Sequence, residues 1–224
     1  MDISLCIYTN CTKHNSSNIN LIKRTFESIN NTFDINNFKE KIIFVDKNPN
    51  ATNFILYHNM LKDFFVKYGF KIIETNSLSE GFLYSIKNIS SKFVFQLEHD
   101  WIFITNNIKH SLEDMLINMD KENIEYLRFN KRHNIIAKWD TSLQEVINSN
   151  GFDYTIVNNI SNNPHIINRD KYIDEEYYKL IKLQKGSNGI EENLQNKLKK
   201  GVLYGKLHYP PTIIHLDGRH LNHQ

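Results

Sequence analysis

The stretch FVFQLEHDWIF, residues 93–103, decides how the chain is read. Phe93 to Leu97 is a short apolar run of the kind that forms a buried strand, and it ends abruptly on Glu98, His99 and Asp100. Bare carboxylates cannot be buried among Phe, Leu and Trp without a compensating partner, because desolvating an unpaired charge is too costly. Side chains of a strand alternate between faces, so a continued strand puts Glu98 and Asp100 side by side and turns His99 away. Two like charges so close raise one carboxyl's pKa unless a cation lies between them. Mg2+ or Mn2+ suits such oxygen ligands, taking one or two carboxylates together with substrate phosphates. The competing reading is a solvated loop that begins at Glu98, with Asp100 capping the next segment.

Outward from this stretch, the first half alternates two periodicities. Apolar, β-rich runs occur at Ile3 to Tyr8, Lys41 to Val45, Lys71 to Ile73 and Phe93 to Leu97. Between them, helical spacing links Ile19, Ile22, Phe26 and Ile29, then Phe54, Tyr57, Leu61, Phe64 and Tyr68, then a shorter segment around Leu83 and Ile86. Strands and helices taking turns predict βαβ units, hence an α/β fold with a mostly parallel central sheet flanked by helices. Ligands of such sheets bind beyond the carboxyl ends of the strands, which here carry Thr9, Asn10, Asp46 and the Glu98–Asp100 triplet. Neither a Gly-x-Gly-x-x-Gly turn nor a Gly-Lys-Ser/Thr phosphate loop is present. Further on, the pattern predicts a helix over 108–119, a strand over 126–129, a more irregular second half and a last helix over about 190–198.

With 224 residues, 40% hydrophobic, the chain suits one sizeable core, read as a single domain with a nucleotide-binding half over about 1–105 and an acceptor-side half over about 106–224. The balance of 27 basic against 25 acidic residues argues against nucleic acid as a partner. No apolar run approaches the roughly 18 residues of a membrane span. The start, MDISLCIYTN, lacks the basic region of a secretory leader, and Cys6 and Cys11 are poorly placed to pair, which points to a reducing, cytoplasmic setting.

An apolar strand ending in Asp/Glu-x-Asp, late in the first half of a small α/β domain, resembles the metal-binding motif of GT-A glycosyltransferases. It is most similar to family-2-like enzymes, including small viral and bacterial ones whose motif reads like LEDDW; here it reads Leu97-Glu98-His99-Asp100-Trp101. The resemblance implies a nucleotide diphosphate sugar donor (a UDP- or GDP-sugar), a glycan or other hydroxyl acceptor, Mn2+ or Mg2+ as cofactor, and the host cytoplasm if the source is viral. It also implies roles. Thr9 and Asn10 would hold the nucleotide, Asp46 its base, and Glu98 the ribose or, with Asp100 and His215, the metal. Arg219 would face the leaving diphosphate. Glu191 or Glu192, in SNGIEENL at 187–194, would be the general base of an inverting transfer. Acids in a first helical turn are also favoured by the helix dipole alone, by roughly 0.3–1 kcal/mol. The helix before the metal motif lacks the family's Arg, with Lys87 the nearest cation. Two other readings are a sugar-phosphate nucleotidyltransferase, although Asn10-Cys11-Thr12-Lys13 is not its Gly-rich basic signature, and an inert GT-A-like binding or scaffold protein.

Overall fold

The computed structural model describes residues 1–11, 18–47, 53–135, 146–149, 151–157, 159–183 and 188–216. In chain order the strands and α-helices are β1 (Ile3–Asn10), α1 (Asn20–Phe33), β2 (Glu40–Asp46), α2 (Phe54–Phe65), β3 (Phe70–Thr75), α3 (Leu78–Asn88), β4 (Phe93–Glu98) and β5 (Trp101–Phe103). There follow α4 (Leu112–Lys121), β6 (Tyr126–Arg128), β7 (Val146–Ser149), β8 (Phe152–Val157), β9 (His165–Asn168), α5 (Arg169–Asp174), α6 (Asn188–Leu194), β10 (Gly201–Tyr204) and β11 (Ile213–His215).

Among the described residues a 9-stranded sheet has the order β3-β2-β1-β4-β9-β6-β10-β8-β7, and β5 pairs with β11 in a separate two-stranded ribbon. The first four strands are parallel, as the alternation predicts. Beyond β4 only β9 and β8 run against the rest. The result is the expected α/β sheet flanked by helices.

Strand parity sorts the core into two layers. Ile3, Leu5 and Ile7 of β1, with Phe93, Phe95 and Leu97 of β4, face the layer built with α1, α2 and α4. Cys6 and Tyr8, with Val94, face the layer of α3, α5 and α6. Helix α1 forms because Ile22, Phe26, Ile29 and Phe33 lie on one buried stripe, each stabilising by roughly 1.5–3 kcal/mol when fully buried. Helix α3 starts where Ser77 Oγ accepts from Glu80 N at 3.2 Å while the Glu80 carboxylate accepts from Asn76 N at 2.6 Å. Helix α4 starts at Leu112 rather than 108 for the same reason: Ser111 Oγ accepts from Asp114 N, and the residues before it form a short 3-10 turn over Thr105–Asn107. The last helix is also shorter than its apolar pattern, ending at Leu194.

Residues 93–103 are not one strand. They form β4, a turn at His99–Asp100, and β5. The turn is held from two sides: Thr25 Oγ1 donates to the His99 carbonyl at 2.6 Å, and Leu216 N donates to the Asp100 carbonyl at 2.7 Å.

Candidate functional site

In-register pairing brings the ends of the parallel strands level, with Asn10 opposite Asp46, Asp46 opposite Thr75 and Tyr8 opposite Glu98. Their polar ends therefore share one rim. A cleft of about 30 Å³ there is lined by Thr9, Asn10, Asp46, Glu98 and His99, floored by Tyr8 and Phe44. The Thr9 hydroxyl is 2.6 Å from that of Tyr57 on α2, which fixes its rotamer. Tyr8 and Phe44 stack at 5.2 Å, and α3 closes over them at Gly81, where a Cβ would come within 2.9 Å of Tyr8. His99 also borders this cleft, at the turn where the strand breaks after Glu98. Lys87 is directed elsewhere, its Nζ 5.1 Å from the Tyr178 ring centre.

Beyond the turn, Asp100 meets His215. The imidazole Nε2 lies 3.0 Å from Asp100 Oδ2, and the His215 ring stacks on Trp101 with centroids 4.2 Å apart. This contact follows from β5–β11 pairing, which sets His215 opposite Trp101. The two carboxyls are driven in opposite directions. Burial, then the Asp100 charge, push Glu98 up to about 7, with Glu191 adding to the push and His215 opposing it. Burial also works to raise Asp100, but the hydrogen bond from His215 and the neighbouring charges of His99 and His215 outweigh it and hold Asp100 below the usual range.

This donor set fits a divalent cation that draws its remaining ligands from a diphosphate. Hard cations of that kind take only one or two protein carboxylates. Asp100 Oδ1 is a buried oxygen with no hydrogen-bond partner, and Glu98, raised first by burial and then by the Asp100 charge, stands two residues away from it. Among the described residues no three His, Cys, Asp or Glu side chains converge into a ready-made metal cage. His215, expected as a third ligand, is bonded to Asp100.

On the other side of Glu98, a cavity of about 330 Å³ opens between β6, β10 and α6. Ile190 and Leu194 bury α6 against the sheet and leave Glu191 lining this cavity, where its Oε1 accepts from Asn162 N at 2.5 Å. Glu192, one residue on, is exposed. A further gap of about 10 Å³ is bordered by Glu98, Asn162 and Ile190. Asn162 Nδ2 is buried in this neighbourhood without a partner. His165 is structural: its ring is buried, with Nε2 2.9 Å from Gln96 Oε1 and Nδ1 2.7 Å from the Asn163 carbonyl. Arg219 lies outside the described residues.

The cavity's cations, Arg128, Lys131 and Arg132, are absent from the sequence-based set. Their signal is LRFNKRHN at 127–134, a basic residue ending a strand and two more directly after it. Read alone, it resembles an ordinary solvated loop.

No family model and no curated protein matches the chain. Solved structures do. The crystal structure of S. aureus TarS 1-349 aligns over 93% of this chain and 60% of its own with a TM-score of 0.53 and 13% identity. TarS 1-349 in complex with UDP-GlcNAc aligns over 93% and 57%, with a TM-score of 0.58 and 14% identity. GalNAc-T7 with UDP, GalNAc and Mn2+ aligns over 90% and 42%, with a TM-score of 0.58 and 9% identity. The chain thus spans about three-fifths or less of the proteins it resembles. Among the described residues no helix is long and apolar enough to cross a membrane. The architecture of this chain is the GT-A type of glycosyltransferases.

Proposed function

We propose that this protein is a glycosyltransferase that moves a sugar from a nucleotide diphosphate sugar, a UDP- or GDP-sugar, to the hydroxyl of a glycan or other acceptor. The observation that carries the reading is the adjacency of two unlike sites at the rim of a GT-A-type sheet. The Glu98–Asp100–His215 cluster adjoins the small cleft at the ends of the parallel strands, and Glu191 lines a separate cavity close enough to Glu98 for its charge to help raise that carboxyl.

In this reading Asn10, Asp46 and the backbone at Thr9 hold the nucleoside in the cleft over Tyr8 and Phe44. Asp100, kept ionised by His215, and Glu98 would hold Mn2+ or Mg2+, which supplies Lewis-acid stabilisation of the leaving diphosphate. His215 positions Asp100 through its hydrogen bond and is itself positioned by stacking on Trp101. Glu191 takes the proton from the acceptor hydroxyl as that oxygen bonds to the anomeric carbon. The bond from that carbon to the diphosphate oxygen breaks, and its electron pair leaves with the diphosphate. An inverting outcome is what the resemblance to family-2-like GT-A enzymes implies, and it requires the acceptor oxygen to attack on the face opposite the leaving diphosphate. The free, buried thiols of Cys6 and Cys11 support a reducing compartment such as the cytoplasm.

Thermal unfolding against a panel of nucleotide sugars, with and without Mn2+, tests this. A donor at a hundred times its Kd stabilises by about 2.7 kcal/mol. Stabilisation by one donor that needs Mn2+ is expected. Indifference to every nucleotide sugar would sink the transferase reading in favour of an inert binding protein.

A further inference from the structure

We propose that the cavity beside Glu191 takes an anionic acceptor, one that carries a phosphate or carboxylate group close to the hydroxyl that receives the sugar. This rests on the transferase reading, with Glu191 as the base.

The cavity's charge is out of proportion to the chain's. The protein as a whole is nearly balanced, with 27 basic and 25 acidic residues, yet the lining gathers Arg128, Lys131 and Arg132 against the one carboxylate of Glu191. The lining composition is also unusual for a neutral sugar. Small-molecule pockets are mostly apolar and aromatic with a few placed polar groups. Here, among the described residues, Ile160 and Leu203 are the apolar members and no Phe, Tyr or Trp contributes. A site without aromatic faces and with an excess of guanidinium and ammonium groups is suited to phosphate or carboxylate, for which the planar guanidinium offers paired donors.

These cations belong to a built site. Arg128 ends β6 and is only 5% exposed, so its charge acts across a poorly screened space. That charge reaches its neighbours: it helps to hold His165 down at about 4, after burial, and works against the burial that raises Tyr126. Lys131 and Arg132 ride on a loop clamped at both ends. At one end Asn130 Nδ2 donates to the carbonyls of Arg132 and Pro210, each at 2.9 Å, and Asn130 Oδ1 accepts from Thr212 Oγ1 at 2.6 Å. At the other, Asn134 Nδ2 donates to the carbonyls of Tyr204, Gly205 and Lys206 at 2.9–3.1 Å. The loop therefore presents its basic side chains from a fixed backbone. Lys131 Nζ also lies 5.7 Å from the Trp101 ring centre, which ties the cavity to the strand that carries Asp100 and His215.

Calorimetric titration of the full chain with glucose 6-phosphate, glucuronate and glucose tests the inference. The anionic probes are expected to bind and glucose is not, with the preference between the first two telling phosphate from carboxylate recognition. A Lys131→Gln/Arg132→Gln double variant, altered at two exposed side chains, should weaken anion binding about tenfold or more, and raised salt should do the same. Asp100→Asn should leave it within about twofold of wild type. Glucose binding as tightly as the anions, absence of binding by all three, or unchanged affinity in the double variant would each overturn the inference. So would loss in Asp100→Asn with retention in the double variant, which assigns the anion to the diphosphate site. A protein that binds the anions but no nucleotide sugar overturns the transferase reading alone and leaves the cavity as an anion site.

Discussion

His215 Nε2 sits 3.0 Å from Asp100 Oδ2 and its ring stacks 4.2 Å from that of Trp101, a contact across 115 residues of sequence that sets the charge state of the candidate metal site. It helps to hold Asp100 below the usual carboxylate range against the burial that raises it, while burial and then the Asp100 charge push Glu98 up to about 7.

Replacing His215 by Phe keeps the stack on Trp101 and removes the donor. The part-buried Asp100 carboxylate then loses its hydrogen-bond donor, at a cost of about 1–3 kcal/mol in unfolding free energy. Asp100 should titrate at higher pH in the variant, read by NMR of its side-chain carboxyl. An unchanged titration would show that His215 does not control this carboxylate.

Asp100→Asn keeps the shape and removes the charge. Donor-induced stabilisation that depends on Mn2+ should disappear, while the melting temperature without ligand changes little. Retained metal-dependent transfer by this variant would remove Asp100 from the metal site.

Two buried groups give the protein's pH dependence opposite slopes. Glu98 releases its proton at about 7 in the folded chain and near 4.5 when unfolded, so between these values the folded state binds more protons and stability falls as pH rises. His165 is held at about 4 against an ordinary 6.5, so the folded state binds fewer protons there and stability falls as pH drops through that window. Glu98→Gln removes the first slope only. Its urea midpoint should exceed the wild-type value by a margin that grows from pH 4.5 to 7 in metal-free buffer, and a constant margin would contradict the assignment.

Glu191 and Glu192 separate the base from its neighbour. Glu191→Gln should lower the transfer rate by about a hundredfold or more, as expected for loss of a general base, with donor binding retained. Glu192→Gln, exposed on the helix, should transfer at the wild-type rate. Equal activity in both variants would leave the base elsewhere.

Gly81→Ala should destabilise the fold by about 1–3 kcal/mol even though Ala favours a helix by roughly 1 kcal/mol over Gly. The new methyl group would lie 2.9 Å from Tyr8 and 3.1–3.2 Å from Phe44, in a packed stack that forms the floor of the nucleotide cleft. Denaturant titration and nucleotide affinity should fall together. A more stable variant would mean that α3 moves away without cost.

The sequence by itself determined the parallel half of the sheet, because strands of six to eight residues and amphipathic helices carry enough period to be read locally. It also placed Thr9, Asn10, Asp46 and Glu98 at one rim, since in-register parallel strands end level.

Tertiary structure alone decided the rest. The strand expected over 126–129 forms as β6, but its place in mid-sheet, and strands β9 and β10 of four residues each, depend on partners far along the chain, and so short a run has no legible period. The turn after Glu98 depends on Thr25 and Leu216, which the local sequence does not reveal. Glu191 and Glu192 are equivalent as sequence; the docking of Ile190 and Leu194 is what turns the first toward the cavity and the second to solvent. The same holds for Lys131 and Arg132, two ordinary basic residues until the amides of Asn130 and Asn134 clamp their loop to carbonyls some 70 to 80 residues away. Local sequence can specify a face or a strand end, but which charges meet is set by long-range pairing, whose energy lies in contacts that no local window contains.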